Sequence, residues 1–100
     1  MATIEEITQQ MRTAVGTDSG LGKTLKFDFK GEGFVYIDKD DVTNEDKPAD
    51  CTLQLSKADF EAMGRKELDP TMAYMSGRLK IQGDMGVAMK LQPLLAKARG

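Results

Sequence analysis

The sequence lacks histidine and tryptophan altogether and has a single cysteine, Cys51, among its 100 residues. Histidine is the usual acid–base side chain near neutral pH and a common metal ligand. Its absence excludes Cys–His and Ser–His catalytic pairs, and one cysteine cannot hold a structural zinc ion. A lone cysteine also forms no intrachain disulfide and suits a reducing compartment. We therefore expect no catalytic residues, no metal and no cofactor; an enzyme that uses carboxylates or Lys90 is a weaker alternative.

Long hydrophobic runs and blocks of like charge are also missing. The net charge is −2, and acidic and basic residues are interspersed. Without a basic stripe, we expect no binding to nucleic acid. No apolar run is long enough to span a bilayer, and the chain does not open with a signal-peptide pattern. These features favour one globular domain over residues 1–100, located in the cytoplasm.

The acidic segment Asp38–Asp41 superficially resembles the start of a calcium-binding loop. However, Val42 stands at the position of the fifth-position ligand, and Thr43 replaces the turn glycine. Ala49 replaces the final bidentate glutamate. A solvated acidic loop is therefore the favoured interpretation.

Two other candidate sites have simpler explanations. The segment Gly83–Gly86 has the GxxG spacing of an RNA-binding loop, but such loops need basic neighbours and this one contains Asp84. We expect a turn in which Asp84 caps the following helix. Cys51 lies at an inward-facing position of a predicted strand, where a free cysteine behaves as a small hydrophobic residue.

Hydrophobic periodicity predicts a mixture of helices and strands. A capping box, Thr3 with Glu6, opens the first helix. Each clear strand has one apolar and one polar face, so the pattern predicts a two-layer α+β domain with helices on one face and water on the other. The predicted helices are Ile4–Val15, one starting at Ser56, one from Asp69 to Gly77 and one from Met85; the predicted strands are Lys23–Lys30, Phe34–Ile37, a short edge strand near Val42, Cys51–Leu55 and a strand through Leu79 and Ile81.

Methionine is abundant in the predicted helices. Six methionines follow Met1, each on the apolar side of a helix: Met11, Met63, Met72, Met75, Met85 and Met89. They could pack an ordinary core, or they could line an adaptable cavity, because methionine is flexible and polarisable. Composition leaves both alternatives open. The last predicted helix has an apolar arc of roughly 200°, about twice the width that a surface helix needs.

Three segments carry a resemblance to a known family: Asp46–Leu53, Leu68–Pro70 and Gly77–Leu91. The last has the pattern strand–Gly–x–Met–Gly–x–Ala–Met–Lys–Leu. The sequence closely resembles the sterol carrier protein type 2 domain, a family of nonspecific lipid-transfer proteins. The resemblance implies an α+β fold with a five-stranded mixed sheet covered on one face by helices, and an apolar tunnel between the layers. It also implies non-catalytic binding of fatty acids, acyl-CoA, phospholipids or sterols.

Two departures from this family shape our expectations about location and partners. The chain ends in Ala98–Gly100 rather than in a Ser-Lys-Leu-like peroxisomal signal. Several family members are fused to enzymes, whereas this chain is expected to stand alone as a free cytoplasmic protein of bacterial type. The expected partners are a lipid or fatty acyl ligand, a membrane in transient contact and a lipid-metabolising enzyme, with no nucleic acid and a monomeric state.

A lipid site is predicted between the helices and the sheet, with the C-terminal helix, broken near Pro93, as its lid. The alternative function is an interaction module, in which the broad apolar face of that helix meets an enzyme of acyl-CoA or lipid metabolism. The predicted lining residues are Met11, Val15, Phe27, Phe60, Met63, Met72, Met75, Leu79, Ile81, Met85 and Met89.

Overall fold

A computed structural model describes residues 3–16 and 22–90 and shows a five-stranded sheet with helices on one face. The strand order is β3-β2-β1-β4-β5; β1 and β4 are parallel, and the other neighbours are antiparallel. The predicted α+β architecture with a mixed sheet is confirmed. In chain order the elements are α1 Ile4–Val15, β1 Leu25–Asp28, β2 Phe34–Asp38, β3 Asp41–Thr43, β4 Cys51–Gln54, α2 Lys57–Gly64, α3 Pro70–Met75, β5 Lys80–Gly83 and α4 Met85–Met89.

Helix α1 begins and ends where its sequence signals predict. The Thr3 side chain accepts a hydrogen bond from the backbone N–H of Glu6, and the Glu6 carboxylate accepts one from the Thr3 N–H. These bonds satisfy two donors that a helix N-terminus otherwise leaves unpaired. At the other end, Gly16 has φ +60°, which stops the helix. The Arg12 guanidinium then donates to the Val42 carbonyl at 3.0 and 3.1 Å, which holds α1 over β3.

The strand register places one row of apolar side chains under the helices. Phe27 of β1 pairs with Val35 of β2 and with Leu53 of β4, and Leu53 pairs with Ile81 of β5. Because side chains alternate along a strand, all four point to the same face of the sheet. Val35, Phe27 and Leu53 are fully buried, whereas Ile81 at the edge is only half-buried. The helices therefore cover the apolar face of the sheet less completely at β5 than at the central strands.

The opposite face of the sheet is partly covered as well, which differs from the prediction that it faces water. Tyr36 points to this face and is only 7% exposed. Its hydroxyl donates to the Pro48 carbonyl at 3.0 Å, and Lys47 lies over its ring. Lys26, on the same face, forms an ion pair with Asp46. The segment between β3 and β4 thus crosses this face, which strand alternation alone does not indicate.

The hydrophobic core lies between the sheet and α1, α2 and α3. Three phenylalanines form its centre: the Phe60 ring meets those of Phe27 and Phe29 edge-on, at centroid distances of 5.4 and 5.6 Å. Such edge-to-face contacts add to the free energy gained by burial. The buried cluster comprises Ile7, Met11, Ala14, Val15, Leu25, Phe27, Phe29, Val35, Ile37, Val42, Cys51, Leu53, Leu55, Phe60, Met63, Ala73, Leu79 and Val87.

The first strand is shorter than predicted, Leu25–Asp28 rather than Lys23–Lys30. At its start, both the N–H and the hydroxyl of Thr24 bond to the Asp50 carboxylate, at 2.9 and 3.0 Å. At its end, Lys30 has φ +54°, which is turn geometry. The alternation of apolar and polar residues therefore extends beyond the residues of β1 that pair with β2 and β4.

The junction between β5 and α4 is pressed against the backbone of Asp50. Gly83 has φ +104°, and a Cβ atom built there would lie 2.2 Å from the Asp50 carbonyl oxygen. The Asp84 N–H donates to that same oxygen at 2.8 Å. Glycine is required at this position because the backbone conformation is unfavourable for other residues and the space is already occupied.

We predict that Gly83→Ala lowers the free energy of unfolding by about 3 kcal/mol, because strain and a backbone clash act together. Gly64→Ala is the matched control, since Gly64 ends α2 and an added Cβ meets nothing within 4 Å. The control should raise stability by about 0.5 kcal/mol through helix propensity. Urea unfolding followed by circular dichroism measures both. Equal stabilities for the two variants would contradict the close approach at Gly83.

Candidate functional site

An apolar groove of about 460 Å³ lies between α3, β5 and α4. This volume falls within the usual range for small-molecule sites. Leu79 and Ile81 of the β5 region form its floor, and the two short helices form its walls. The lining residues are Asp69, Pro70, Thr71, Tyr74, Leu79, Ile81, Met85, Ala88 and Met89.

The groove is apolar at its base and open to solvent at its edge. Leu79 is only 2% exposed and belongs to the core. By contrast, Tyr74 and Met85 are each 48% exposed, and Met89 is 80% exposed. Exposed large apolar side chains at the edge of a groove are typical of surfaces that bind a ligand or another protein.

Helix α3 is positioned by a capped start and by a hydrogen bond to Leu79, the residue before β5. The Asp69 carboxylate accepts a hydrogen bond from the Thr71 N–H, and Pro70 occupies the first turn, where its missing N–H costs nothing. Ala73 is fully buried, and its carbonyl accepts from the Leu79 N–H at 3.0 Å. This bond fixes the wall of the groove against its floor.

Helix α4 is anchored at its first residue by charge and hydrogen bonds. The Asp84 carboxylate accepts from the Gly86 N–H at 2.7 Å and forms an ion pair with Lys23. The predicted capping role of Asp84 is thereby confirmed. The hydrogen bond from Lys23, reinforced by that from Gly86, lowers the pKa of Asp84, while Asp84 raises the pKa of Lys23. Two hydrogen bonds from Thr24 lower the pKa of the neighbouring Asp50 carboxyl.

The chemistry available in the groove is that of apolar contact. Its one acidic side chain, Asp69, caps α3. Cys51 is fully buried, as predicted for a core residue, and burial raises the pKa of its thiol, which disfavours the reactive thiolate. Among residues 3–16 and 22–90, no group of three or more cysteine or acidic side chains could hold a metal ion. The lining residues that the structure describes thus include no acid–base pair.

Four of the eleven predicted site residues line the groove. Leu79 and Ile81 come from the β5 region, and Met85 and Met89 come from α4. These four belong to the segment whose glycines and methionines carry the family resemblance. Their role in binding a ligand stays a prediction, although their position around one groove supports it.

The other seven predicted site residues lie elsewhere. Met72 and Met75 of α3 are 58% and 74% exposed and lie outside the groove lining. The remaining five are at most 3% exposed, because they fill the closely packed centre between the sheet, α1 and α2: Met11, Val15, Phe27, Phe60 and Met63. Of the two alternatives for the methionines, core packing describes Met11 and Met63. A part for these seven in ligand binding stays a prediction.

Sequence reasoning missed five groove residues: Asp69, Pro70, Thr71, Tyr74 and Ala88. For three of these residues the sequence spacing did contain a signal. Pro70 and Thr71 lie four and three positions before Tyr74, so both neighbour it on the surface of α3. The predicted site residues Met72 and Met75 lie instead on the neighbouring face of α3, which points outward. The predicted break at Pro93 and the contribution of Leu91 to the apolar arc lie outside the described residues.

The model of the SCP-2 sterol transfer family matches residues 7–96. The chain belongs to this family. The resemblance inferred from Gly77–Leu91 and the two shorter segments is therefore confirmed.

Curated relatives of this family member are longer proteins. Sterol carrier protein 2 of Homo sapiens is 49% identical over 53 residues, which are 53% of this chain and 10% of the human protein. Hydroxysteroid dehydrogenase-like protein 2 of Danio rerio is 43% identical over 79 residues, covering 71% of this chain and 19% of that protein. The matched part thus spans between a tenth and a fifth of the length of these two relatives.

A solved structure shares the fold of this SCP-2 family member. The solution structure of sterol carrier protein 2 from Aedes aegypti, in complex with the C16 fatty acid palmitate, superposes with a TM-score of 0.75. The match covers 93% of this chain and 94% of the other, at 16% identity. In the described part of the chain, no helix has both the length and the apolar character needed to cross a bilayer.

The Lys23–Asp84 ion pair predicts an acid-dependent loss of stability. The lowered pKa of Asp84 means that its carboxylate stabilises the folded state above the ordinary value of 3.8. That contribution disappears as the pH falls through the folded-state pKa. Asp84→Asn should therefore unfold at lower urea concentration than the wild type at neutral pH, and the difference should close as the pH falls below 3.8.

Urea midpoints measured across this pH range provide the test. Asp40→Asn is the control, because Asp40 is an exposed turn residue that forms no ion pair within the described residues. The control should track the wild type at every pH. A deficit in Asp84→Asn that persists unchanged to the acid limit would show that the ion pair does not anchor α4.

Proposed function

We propose that this protein is a non-catalytic lipid carrier that binds an acyl chain in the groove between α3, β5 and α4. One observation carries the proposal: an apolar groove whose floor is core and whose rim is exposed methionine. Membership of a sterol transfer family supports it, as does the palmitate bound by the similar Aedes aegypti protein. The ligand class comprises fatty acids, acyl-CoA, phospholipids and sterols.

The driving force is the removal of methylene groups from water. Each buried methylene contributes about 0.8 kcal/mol, so ten contribute about 8 kcal/mol before the costs of association are subtracted. A chain of about fifteen buried methylenes contributes about 12 kcal/mol; after an association cost of about 4 to 6 kcal/mol, about 6 to 8 kcal/mol remain, which corresponds to affinity in the micromolar range. Such an affinity allows a carrier both to load and to release its ligand.

Discrimination between ligands should follow from the shape of the groove more than from polar recognition. Among the described lining residues, those with polar side-chain groups are Asp69, Thr71 and Tyr74. The Asp69 carboxylate already accepts from the Thr71 N–H. Methionines at the rim adapt to chains of different shape, because they have three rotatable bonds and a polarisable sulfur. Broad specificity for lipids with one accessible alkyl chain is the consequence.

Helix α4 is the element that we assign as a lid. It has five residues, and one of them, Val87, is buried. Its start is held by Asp84, while Met89 at its end is 80% exposed. A short helix anchored at one end can swing with little loss of buried surface. An apolar tunnel, as the family resemblance implies, would result from closure of this element over the groove.

A second function, presentation of a lipid to an enzyme, is favoured by one comparison. The Danio rerio relative is a hydroxysteroid dehydrogenase-like protein of which the matched segment is 19%. A carrier domain next to an enzyme would raise the effective concentration of bound substrate at the active site. The exposed methionines of α3 and α4 would then meet the enzyme.

We predict that Met89→Asp folds normally but binds a fluorescent fatty acid at least tenfold more weakly, because a charged carboxylate then lines the apolar groove. Met72→Asp is the matched control, since Met72 is exposed on α3 outside the groove lining. Fluorescence titration in the absence of membranes gives both dissociation constants. Equal affinity in the two variants would remove Met89 from the binding site.

Extraction of the purified protein with organic solvent, followed by lipid mass spectrometry, tests whether the chain itself holds lipid. A carrier should retain lipid close to one molecule per chain, and added alkyl ligand should displace it. A module that only docks on an enzyme, without holding lipid itself, should yield no lipid and no fatty acid affinity. The second result would overturn the carrier proposal.

A further inference from the structure

We propose that Met85 and Met89 form a redox-sensitive site, at which hydrogen peroxide converts their thioethers to sulfoxides and so releases the bound lipid. This inference rests on the proposed carrier function, because it assigns a means of regulating the same groove. Both side chains line the groove, and both are exposed to solvent. The oxidisable sulfur and the binding surface therefore lie in the same place.

The sulfur atoms of the chain differ widely in burial. The sequence has one cysteine and seven methionines, and the methionines after Met1 lie in the described residues. Met11 and Met63 are 0% and 1% exposed. The other methionines are between 48% and 80% exposed: Met72, Met75, Met85 and Met89. Peroxide dissolved in water therefore reaches the exposed group and not the buried pair.

The thiol of the chain does not compete for the oxidant. Peroxide oxidises cysteine through its thiolate, so the reaction needs exposure and a lowered pKa. Cys51 is fully buried, and burial raises the pKa of its thiol. In the described part of the chain, the exposed methionines are therefore the sulfur atoms that peroxide meets first.

The reaction needs no partner other than the thioether and the peroxide. A lone pair of the sulfur attacks one peroxide oxygen, so an S–O bond forms as the O–O bond breaks. The sulfur loses two electrons, and the departing hydroxide takes the proton of the new S–OH group and becomes water. The product is methionine sulfoxide, which methionine sulfoxide reductases return to methionine.

Oxidation introduces a polar acceptor into an apolar lining. The floor of the groove, Leu79 and Ile81, has no side-chain donor to offer it. A sulfoxide must therefore keep its water in the groove or lose a hydrogen bond when an alkyl chain covers it. The hydroxyls of Thr71 and Tyr74 belong to the opposite wall, α3. A sulfoxide bonded to them would span the space that the alkyl chain needs, so each arrangement weakens binding.

The fold should survive this modification. The methionines that pack in the core, Met11 and Met63, are the protected ones. Helix α4 is held at its start by the Asp84 carboxylate, and its buried residue is Val87. Neither anchor involves sulfur. Oxidation should therefore change the groove and leave the elements that frame it in place.

Peptide mass mapping after treatment with hydrogen peroxide tests which sulfur atoms react. We expect the four exposed methionines to gain one oxygen atom each well before Met11 and Met63, with an unchanged circular dichroism spectrum. The affinity of the treated protein for a fluorescent fatty acid, measured without membranes, should fall about tenfold. Treatment with methionine sulfoxide reductase and a thiol reductant should restore it.

Matched double variants locate the effect in the groove. Met85→Leu/Met89→Leu leaves no thioether among the described lining residues, so its affinity should be the same before and after peroxide. Met72→Leu/Met75→Leu is the control, because these side chains are exposed but lie outside the groove lining. The control should lose affinity on treatment by the same factor as the wild type. Each variant is compared with its own untreated sample, so an effect of leucine on binding cancels.

Three outcomes would overturn the redox-sensitive site and leave the carrier function standing. The first is unchanged fatty acid affinity after complete oxidation of Met85 and Met89. The second is an equal loss of affinity in Met85→Leu/Met89→Leu and in the wild type. The third is oxidation of the buried methionines as fast as the exposed ones. Absence of fatty acid affinity in the untreated wild type would refute the proposed function, and the redox-sensitive site with it.

Discussion

The structure depends on how the apolar face of a five-stranded sheet is covered. The twelve residues of α1 lie over β2 and β3. Over the other strands the described cover comes from α2, α3 and α4, which have eight, six and five residues. A short helix covers only a short length of the sheet, so three of them leave gaps between their ends. The groove is one such gap, bounded by α3 and α4, with half-buried Ile81 at its floor.

Rigid anchoring at one end of each short helix keeps this gap open. Asp69 and Pro70 fix the start of α3, and Asp84 fixes the start of α4. Both helices hold their first turns by polar bonds and expose apolar residues further along. Stability and an open apolar surface therefore coexist, because the bonds that order the helices do not use the apolar side chains that border the groove.

Much of the fold could be predicted from local patterns. The capping pair Thr3 and Glu6, the alternation through Leu25 and Phe27, and the Asp69-Pro70 start of α3 each specify their element without distant contacts. Tyr36 could not be assigned in this way, because its burial comes from a chain segment that crosses the sheet. The location of a helix or strand was predicted correctly where its sequence signal and the contacts that stabilise it involve the same few residues.

The candidate site was only partly predictable for a related reason. Residue type identified methionine as suitable for an adaptable surface, but it could not distinguish Met11 in the closed core from Met89 at an open rim. That difference depends on which helices meet tightly, and the packing of one helix on another is set by distant parts of the chain. Tyr74 was overlooked because the methionines Met72 and Met75 on the neighbouring face of α3 were the more prominent apolar pattern.

The parallel pairing of β1 with β4 has a consequence for the order of assembly. Leu25 finds its partner Ile37 across a short hairpin, but its other partner, Cys51, arrives only after the chain has passed through β3 and crossed the sheet. Pairing over such a separation in sequence is slow, because loop closure must precede the contacts that reward it. During synthesis on the ribosome, one edge of β1 stays open until β4 emerges, and β5 can add only after that. The half of the molecule that carries the groove is thus the last to be built.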